Sequence, residues 1–258
     1  MSENSCLNNV TIVLVQPRFP ENIGAAVRAG MNMDIKNVRV VAPENFDLDK
    51  IMKLATHVAR DVVERIKVYQ TLKEALEPFG YVAGATARTG GQRKAIADPG
   101  QAARKLVSVA EENRTAIVFG PEDRGLSNED IRLCHMLVNI PTAGFSSLNL
   151  AQAVMVMCYE IFKTCHAREK ISQTPRLATR HELDGMYDQV KDILVNINYI
   201  NPENPDYWMH RLRHFFTRIE LKAGEVSIVR GICRQIEWYA GKRFEDGRNT
   251  VDKKDENP

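Results

Sequence analysis

The sequence predicts an α/β protein built on a parallel sheet, followed by a small α-helical appendage. Short β-branched or apolar runs, such as Val10–Val15 and Ala116-Ile117-Val118-Phe119, alternate with stretches of helical spacing as far as Cys165. Runs apolar at successive positions suit strands buried on both faces, the condition of a parallel sheet covered by helices. Beyond Cys165 the alternation stops, and three helical patterns follow a polar linker.

Val10–Val15, bounded by Asn9 and Pro17, is the expected first strand. After Pro20, Asn22 is a candidate cap for a helix in which Ile23, Ala26 and Val27 share a face and Arg28 projects near the middle. Residues 38–41 read as the second strand, 48–64 as one helix, 66–68 as a short strand and 72–76 as a helical turn or two. Residues 81–87 form a strand ending in the small Ala85, Thr86 and Ala87, where a ligand can approach the backbone. Residues 89–99, with Gly90-Gly91 and the basic Arg88, Arg93 and Lys94 around them, read as a flexible basic loop. A helix over 101–112, a strand over 115–119, a short capped helix over 127–131 and a last strand over 136–140 complete the sheet. Residues 150–161 are apolar nearly all round, so this helix requires burial on more than one side: the sheet, and a second subunit.

The domains expected are therefore 1–165, a linker at 166–178, a helical extension at 179–244 and a disordered tail at 245–258. In the extension, Leu212, Phe215, Phe216 and Ile219 form an apolar stripe, while Arg211, Arg218 and Lys222 fall on another face. Residues 204–243 hold eight Lys or Arg against four acids, a local basic excess that suits either a solvated face or RNA.

At 258 residues and 44% hydrophobic content the chain can bury a sizeable core, and a net charge of +2 is too mild to diagnose nucleic-acid binding globally. Five cysteines without a C-x-x-C pair argue against a disulfide framework and against a zinc site, so reduced thiols and no metal are expected. No charged segment leads into an apolar stretch at the amino terminus, and no 18 residues are uninterruptedly apolar. A cytoplasmic protein, off the membrane, is expected.

Three loops carry the chemistry. The first follows the initial strand, Pro20-Glu21-Asn22-Ile23-Gly24-Ala25-Ala26-Val27-Arg28-Ala29. The second, Gly120-Pro121-Glu122-Asp123-Arg124-Gly125-Leu126-Ser127, has the glycine spacing of a phosphate-binding loop, but Leu126 stands where the phosphate-reaching lysine belongs. A nucleoside triphosphatase is thereby disfavoured. The third is Ser146-Ser147-Leu148-Asn149 before the last helix of the sheet domain. No G-x-G-x-x-G follows the first strand, which also disfavours a nicotinamide enzyme.

In order and spacing these loops resemble the three motifs of the SPOUT methyltransferases, in the branch of TrmH-like RNA ribose 2′-O-methyltransferases, over roughly residues 8–165. The region beyond resembles the carboxy-terminal part of the bacterial TrmJ tRNA methyltransferases. The resemblance implies a deep trefoil knot, a homodimer whose active site mixes residues of both subunits, and S-adenosyl-L-methionine (SAM) as methyl donor, leaving S-adenosyl-L-homocysteine. It places Ala85, Thr86, Ala87, Gly120, Ile140, Ser146, Ser147 and Leu148 at the cofactor. It makes Arg28 the essential arginine, gives Ser147 the orientation of the ribose hydroxyl or cofactor binding, and sets Glu122 in the catalytic group as organiser of its loop. Asn22 and Asn149 are structural neighbours, Asn149 as a helix cap. Arg88, Arg93, Lys94, Arg211, Arg218 and Lys222 are candidate RNA contacts. Two roles for Arg28 stay open. A base must first lose its proton, which costs roughly 7–9 kcal/mol at neutral pH for an arginine; a charged group would dock a phosphate and stabilise the forming alkoxide. The implied reaction is ribose 2′-O-methylation of tRNA, at the anticodon-loop pyrimidine of position 32. The alternatives are ribosomal RNA as substrate, or an RNA-binding knot protein without catalysis.

Overall fold

Seven strands form one all-parallel sheet: β1 (Val10–Val15), β2 (Asn37–Val41), β3 (Lys67–Tyr69), β4 (Tyr81–Ala85), β5 (Ile96–Ala97), β6 (Thr115–Phe119) and β7 (Met136–Val138), in the order β3-β2-β1-β6-β4-β7-β5. This computed structural model describes residues 5–87, 96–144, 148–167 and 175–255. The chain divides into two compact units, Met1–Arg180 and His181–Pro258.

Alternate side chains of each strand enter two cores, because successive strand residues face opposite sides. Val10, Ile12 and Leu14 of β1, with Ile117 and Phe119 of β6, pack under α1 (Ser5–Asn8), α2 (Pro20–Asn32), α3 (Leu48–Ala55), α4 (Arg60–Glu64), α6 (Pro99–Val109) and α8 (Leu150–His166). Val13, Val15, Ala116 and Val118 pack on the other face under α5 (Leu72–Leu76) and α7 (Asn128–Leu133). The central strands are fully buried, as runs without polar alternation require.

Several expectations change. Residues 48–64 are not one helix: Thr56 takes φ 72°, and a short 3₁₀ turn, His57–Ala59, separates α3 from α4. Ile96 and Ala97, expected within the basic loop, form a two-residue strand, β5, paired with β7 at the sheet edge. Cys6 and Cys165 are joined in a disulfide, where reduced thiols were expected; Cys134, Cys158 and Cys233 are buried and take no part in it. The pair is 159 residues apart and meets only because α1 packs against α8, so spacing along the chain carries no trace of it. α8 buries Val154, Met157, Cys158 and Ile161 against its own chain, with α2 and α6 as neighbours. Met155 and Val156 are left half-buried and Tyr159 exposed.

Glycine at position 24 is a packing requirement. A Cβ there would collide with the carbonyl oxygen of Ile51, so α2 and α3 approach at the backbone.

The second unit holds most of α9 (Arg180–Asn196), with α10 (Pro205–Arg218) and α11 (Ala223–Asp255). Its interior includes Leu183, Met186, Tyr187, Ile193 and Met209. Of the stripe expected on α10, Leu212 and Phe216 are half-buried while Phe215 and Ile219 are exposed, and Met209 and Thr217 are the buried residues of the helix. α11 runs through Asp255, into the stretch from 245 for which a disordered tail was expected.

Candidate active site

The site forms where β4, β6 and β7 end. β4 stops at Ala85, and the chain turns with the Thr86 amide donating to the Val138 carbonyl at 2.9 Å. The Asn139 side-chain amide donates to the Thr86 carbonyl at 2.9 Å, tying the ends of two neighbouring strands. β6 ends at Phe119, and Gly120 opens the second loop. A Cβ on Gly120 would strike the backbone of Gly125 and Leu126, and Gly125 takes φ +65°, so the loop folds back on itself only with glycine at both places. The Gly125 amide closes the turn on the Pro121 carbonyl at 2.8 Å.

These turns enclose a cavity of about 290 Å³. Ala85, Thr86, Ala87 and Gly120 contribute small walls, Phe119, Ile140, Leu148 and Leu150 apolar faces, and Glu122, Asp123 and Arg124 charge. Beside it, Phe19, Glu21, Asn22, Glu122, Leu148 and Asn149 line a more open hollow of about 630 Å³. Glu122 and Leu148 belong to both.

One hydrogen-bonded chain joins the three loops. The Asn22 side-chain amide donates to Glu122 Oε1 at 2.8 Å, and the Arg18 backbone amide donates to Glu122 Oε2 at 3.1 Å. Asn149 Nδ2 donates to Asn22 Oδ1 at 3.1 Å, while its Oδ1 accepts the Ala151 amide at 2.8 Å and caps α8. Gln152 returns a bond to the Asn149 amide, completing a capping box. Asn149 thus caps as expected. Asn22 does not: α2 begins at Pro20 with Phe19 as its cap residue, which places Asn22 inside the first turn and frees its amide for Glu122 and Asn149.

Of the residues singled out in the sequence, Ala85, Thr86, Ala87, Gly120, Glu122, Ile140 and Leu148 meet at the cavity, with Asn22 and Asn149 beside it. Arg28 does not join them. It lies exposed on α2, six residues beyond Asn22, which is about 9 Å along the axis and roughly 240° around it. Arg211, Arg218 and Lys222 are exposed in the second unit. Ser146, Ser147, Arg88, Arg93 and Lys94 lie outside the described residues. Sequence reasoning passed over Arg124, whose guanidinium donates to Gln16 Oε1 at 2.6 Å, and Asn139. Arg124 sat inside a loop already singled out; Asn139 had no signal beyond a polar residue at a strand end. Among the described residues no group of three His, Cys, Asp or Glu is placed to hold a metal, and no helix is long and apolar enough to cross a membrane.

An all-parallel sheet whose strands end at a cleft of small and apolar residues is the ground plan of an α/β enzyme that binds a nucleotide-like ligand there. The chain belongs to the SpoU rRNA Methylase family, which matches residues 9–159, and residues 181–249 match the C-terminal domain of the tRNA methyltransferase TrmJ. It is 34% identical over 247 residues to the tRNA (cytidine/uridine/adenosine-2′-O-)-methyltransferase TrmJ of Pseudomonas aeruginosa, covering 91% of this chain and 96% of that one. It is likewise 34% identical over 239 residues to the tRNA (cytidine/uridine-2′-O-)-methyltransferase TrmJ of Cronobacter sakazakii, covering 90% and 97%. Among solved structures, TrmJ from Z. mobilis superposes with a TM-score of 0.75 at 30% identity, over 88% of this chain and 98% of that one.

Proposed function

We propose that this protein transfers a methyl group from SAM to a ribose 2′-hydroxyl of tRNA, at the anticodon-loop pyrimidine of position 32. The observation that carries the reading is the junction of the three loops through Asn22, Glu122 and Asn149 at the mouth of a cleft suited to the donor. The lining fits that molecule in kind: apolar faces at Phe119, Ile140 and Leu148 suit an adenine ring, and charged side chains at 122–124 suit a zwitterionic amino acid and a sulfonium. When bound, SAM supplies an electrophilic methyl group. The family's trefoil knot is read onto the carboxy-terminal part of the first unit, where β6 leads into the second loop and the third precedes α8.

The protein's own work is positioning and charge. Glu122 organises its loop rather than moving a proton, since both of its oxygens already accept bonds from Asn22 and Arg18. Ala85, Thr86, Ala87, Gly120, Ile140 and Leu148, together with Ser146 and Ser147, hold the donor, and Ser147 orients the hydroxyl. Holding the two reactants in line offsets roughly 7–11 kcal/mol of the barrier. Arg28 is exposed and lines neither the cavity nor the hollow of its own chain, so it serves the site of a second copy, across a dimer built on the face of α8 that carries Met155, Val156 and Tyr159. There it docks a phosphate and stabilises the alkoxide, or acts as a transient base. The second unit adds tRNA affinity through Arg211, Arg218 and Lys222, and the protein works in the cytoplasm.

Labelled SAM and total tRNA, with Arg28→Ala beside the parent, test this reading. Transfer is expected from the parent and lost in Arg28→Ala, with SAM binding intact; Arg28→Lys is also poor, because lysine lacks the planar fork. Normal turnover by Arg28→Ala excludes both roles given to it.

A further inference from the structure

Basic side chains converge at the other end of the sheet. Lys36, Arg39, Arg65, Lys67 and Arg114 line a cavity of about 430 Å³ at the amino ends of β1, β2, β3 and β6. The methyl-transfer cleft lies at the carboxyl ends, so strands of five or six residues, roughly 17–20 Å, separate the two. Among the described residues no carboxylate lines this cavity; its remaining polar walls are Asn8, Asn9, Thr11 and Asn37. Lys36 is paired with Asp34 at 2.7 Å, and among the described residues the other four cations make no ion pair.

Arg39 is the best-built member. It is half-buried, and its Nη1 donates to the Ala75 carbonyl at 2.7 Å. The guanidinium lies 4.8 Å from the Phe79 ring centre and 5.1 Å from that of Tyr69. Burial first, and then the neighbouring charge of Arg114, lower the pKa of Arg39, while Tyr69 acts the other way. A guanidinium held by one carbonyl and two rings keeps most of its five donors for something else. Four like charges gathered without an ion pair of their own among the described residues are an arrangement that a bound anion relieves. The number of cations and the planar forks suit a phosphate group better than a single carboxylate.

From this geometry we infer that the cavity at the amino ends of β1, β2, β3 and β6 is a phosphate-binding site, distinct from the methyl-transfer cleft. The phosphate belongs either to the RNA backbone or to a free phosphate-bearing small molecule. The site does not depend on the methyl-transfer reading, because no residue is shared with that cleft.

The test uses the full chain, titrated with pyrophosphate by calorimetry. Lys67→Gln combined with Arg114→Gln removes two exposed cations and leaves Arg39 in its packed place. Losing two charge-assisted contacts weakens pyrophosphate binding roughly tenfold or more, with SAM binding unchanged. Arg39→Lys, which keeps charge but not the fork, weakens it too. If tRNA displaces pyrophosphate, and the double variant lowers the salt slope of tRNA binding by about two, the phosphate is that of the RNA backbone. If tRNA binding is unchanged while pyrophosphate binding is lost, the ligand is a free phosphate-bearing molecule. No pyrophosphate binding by the parent, or equal binding by the folded double variant, overturns the proposal.

Discussion

Glu122 is the residue on which the three loops depend. A carboxylate that accepts from a backbone amide and a side-chain amide of another segment fixes that segment's position, and each charge-assisted bond contributes about 1.5–3 kcal/mol. Glu122→Ala is expected to weaken SAM binding and methyl transfer together while the sheet stays folded; near-normal SAM affinity by calorimetry would mean the loops hold one another by packing alone. Cys158 makes a second prediction. It is buried, and desolvation pushes its thiol up to about 12 from an ordinary 9.0. A raised folded-state value favours the protonated form, so this contribution is complete below pH 9 and declines as pH rises toward 12, at most about 1.4 kcal/mol per pH unit. Chemical unfolding across that range should show a shallower alkaline loss in Cys158→Ala than in the parent; parallel curves contradict the assignment. At this scale the sequence was partly legible. Ala85 stood out because small residues at a strand end let a ligand approach the backbone, whereas Gly120 and Leu148 were placed by the resemblance of their loops. The function of Asn22 as a link did not stand out, since it depends on α2 starting two residues earlier, at Pro20.

The elements were legible where burial imposes a period, and lost where it does not. β1 and β6 declare themselves as runs buried on both faces, and the alternation of their side chains between two cores follows from the pleat. The break at Thr56, the pairing of α1 with α8 by Cys6 and Cys165, and the extent of α11 leave no period behind. Gly24 is the case in which a helix carries a residue unfavourable to it for a neighbour's sake. Because the α3 backbone occupies the space of a Cβ, Gly24→Ala should destabilise by about 1–3 kcal/mol despite the better helix propensity of alanine. A denaturant midpoint equal to or above the parent's would show that α3 yields without cost.

Across the whole molecule, the proposed function assigns chemistry and affinity to different units. The first holds the cleft and the linked loops; the second exposes Arg211, Arg218 and Lys222 with the aromatic rings of Tyr207, Trp208 and Trp238. Reversing those three cations to glutamate should weaken tRNA binding and flatten its salt dependence, because phosphate contacts release counterions, while SAM binding persists. An unchanged titration at two salt concentrations would return that face to a solvated role. In the sequence the change of character comes after Cys165, ahead of the boundary between the compact units at Arg180. Nothing in the sequence signalled the basic cavity, whose residues are scattered between 36 and 114 and meet only when four strands align. The central claim is methyl transfer to a ribose of tRNA, and mapping the product tests it most directly. After reaction with labelled SAM, nucleoside mass spectrometry of total tRNA should place the methyl on the 2′-oxygen of the pyrimidine at position 32. A methyl on a base, or tRNA left unlabelled while SAM is bound, would contradict it.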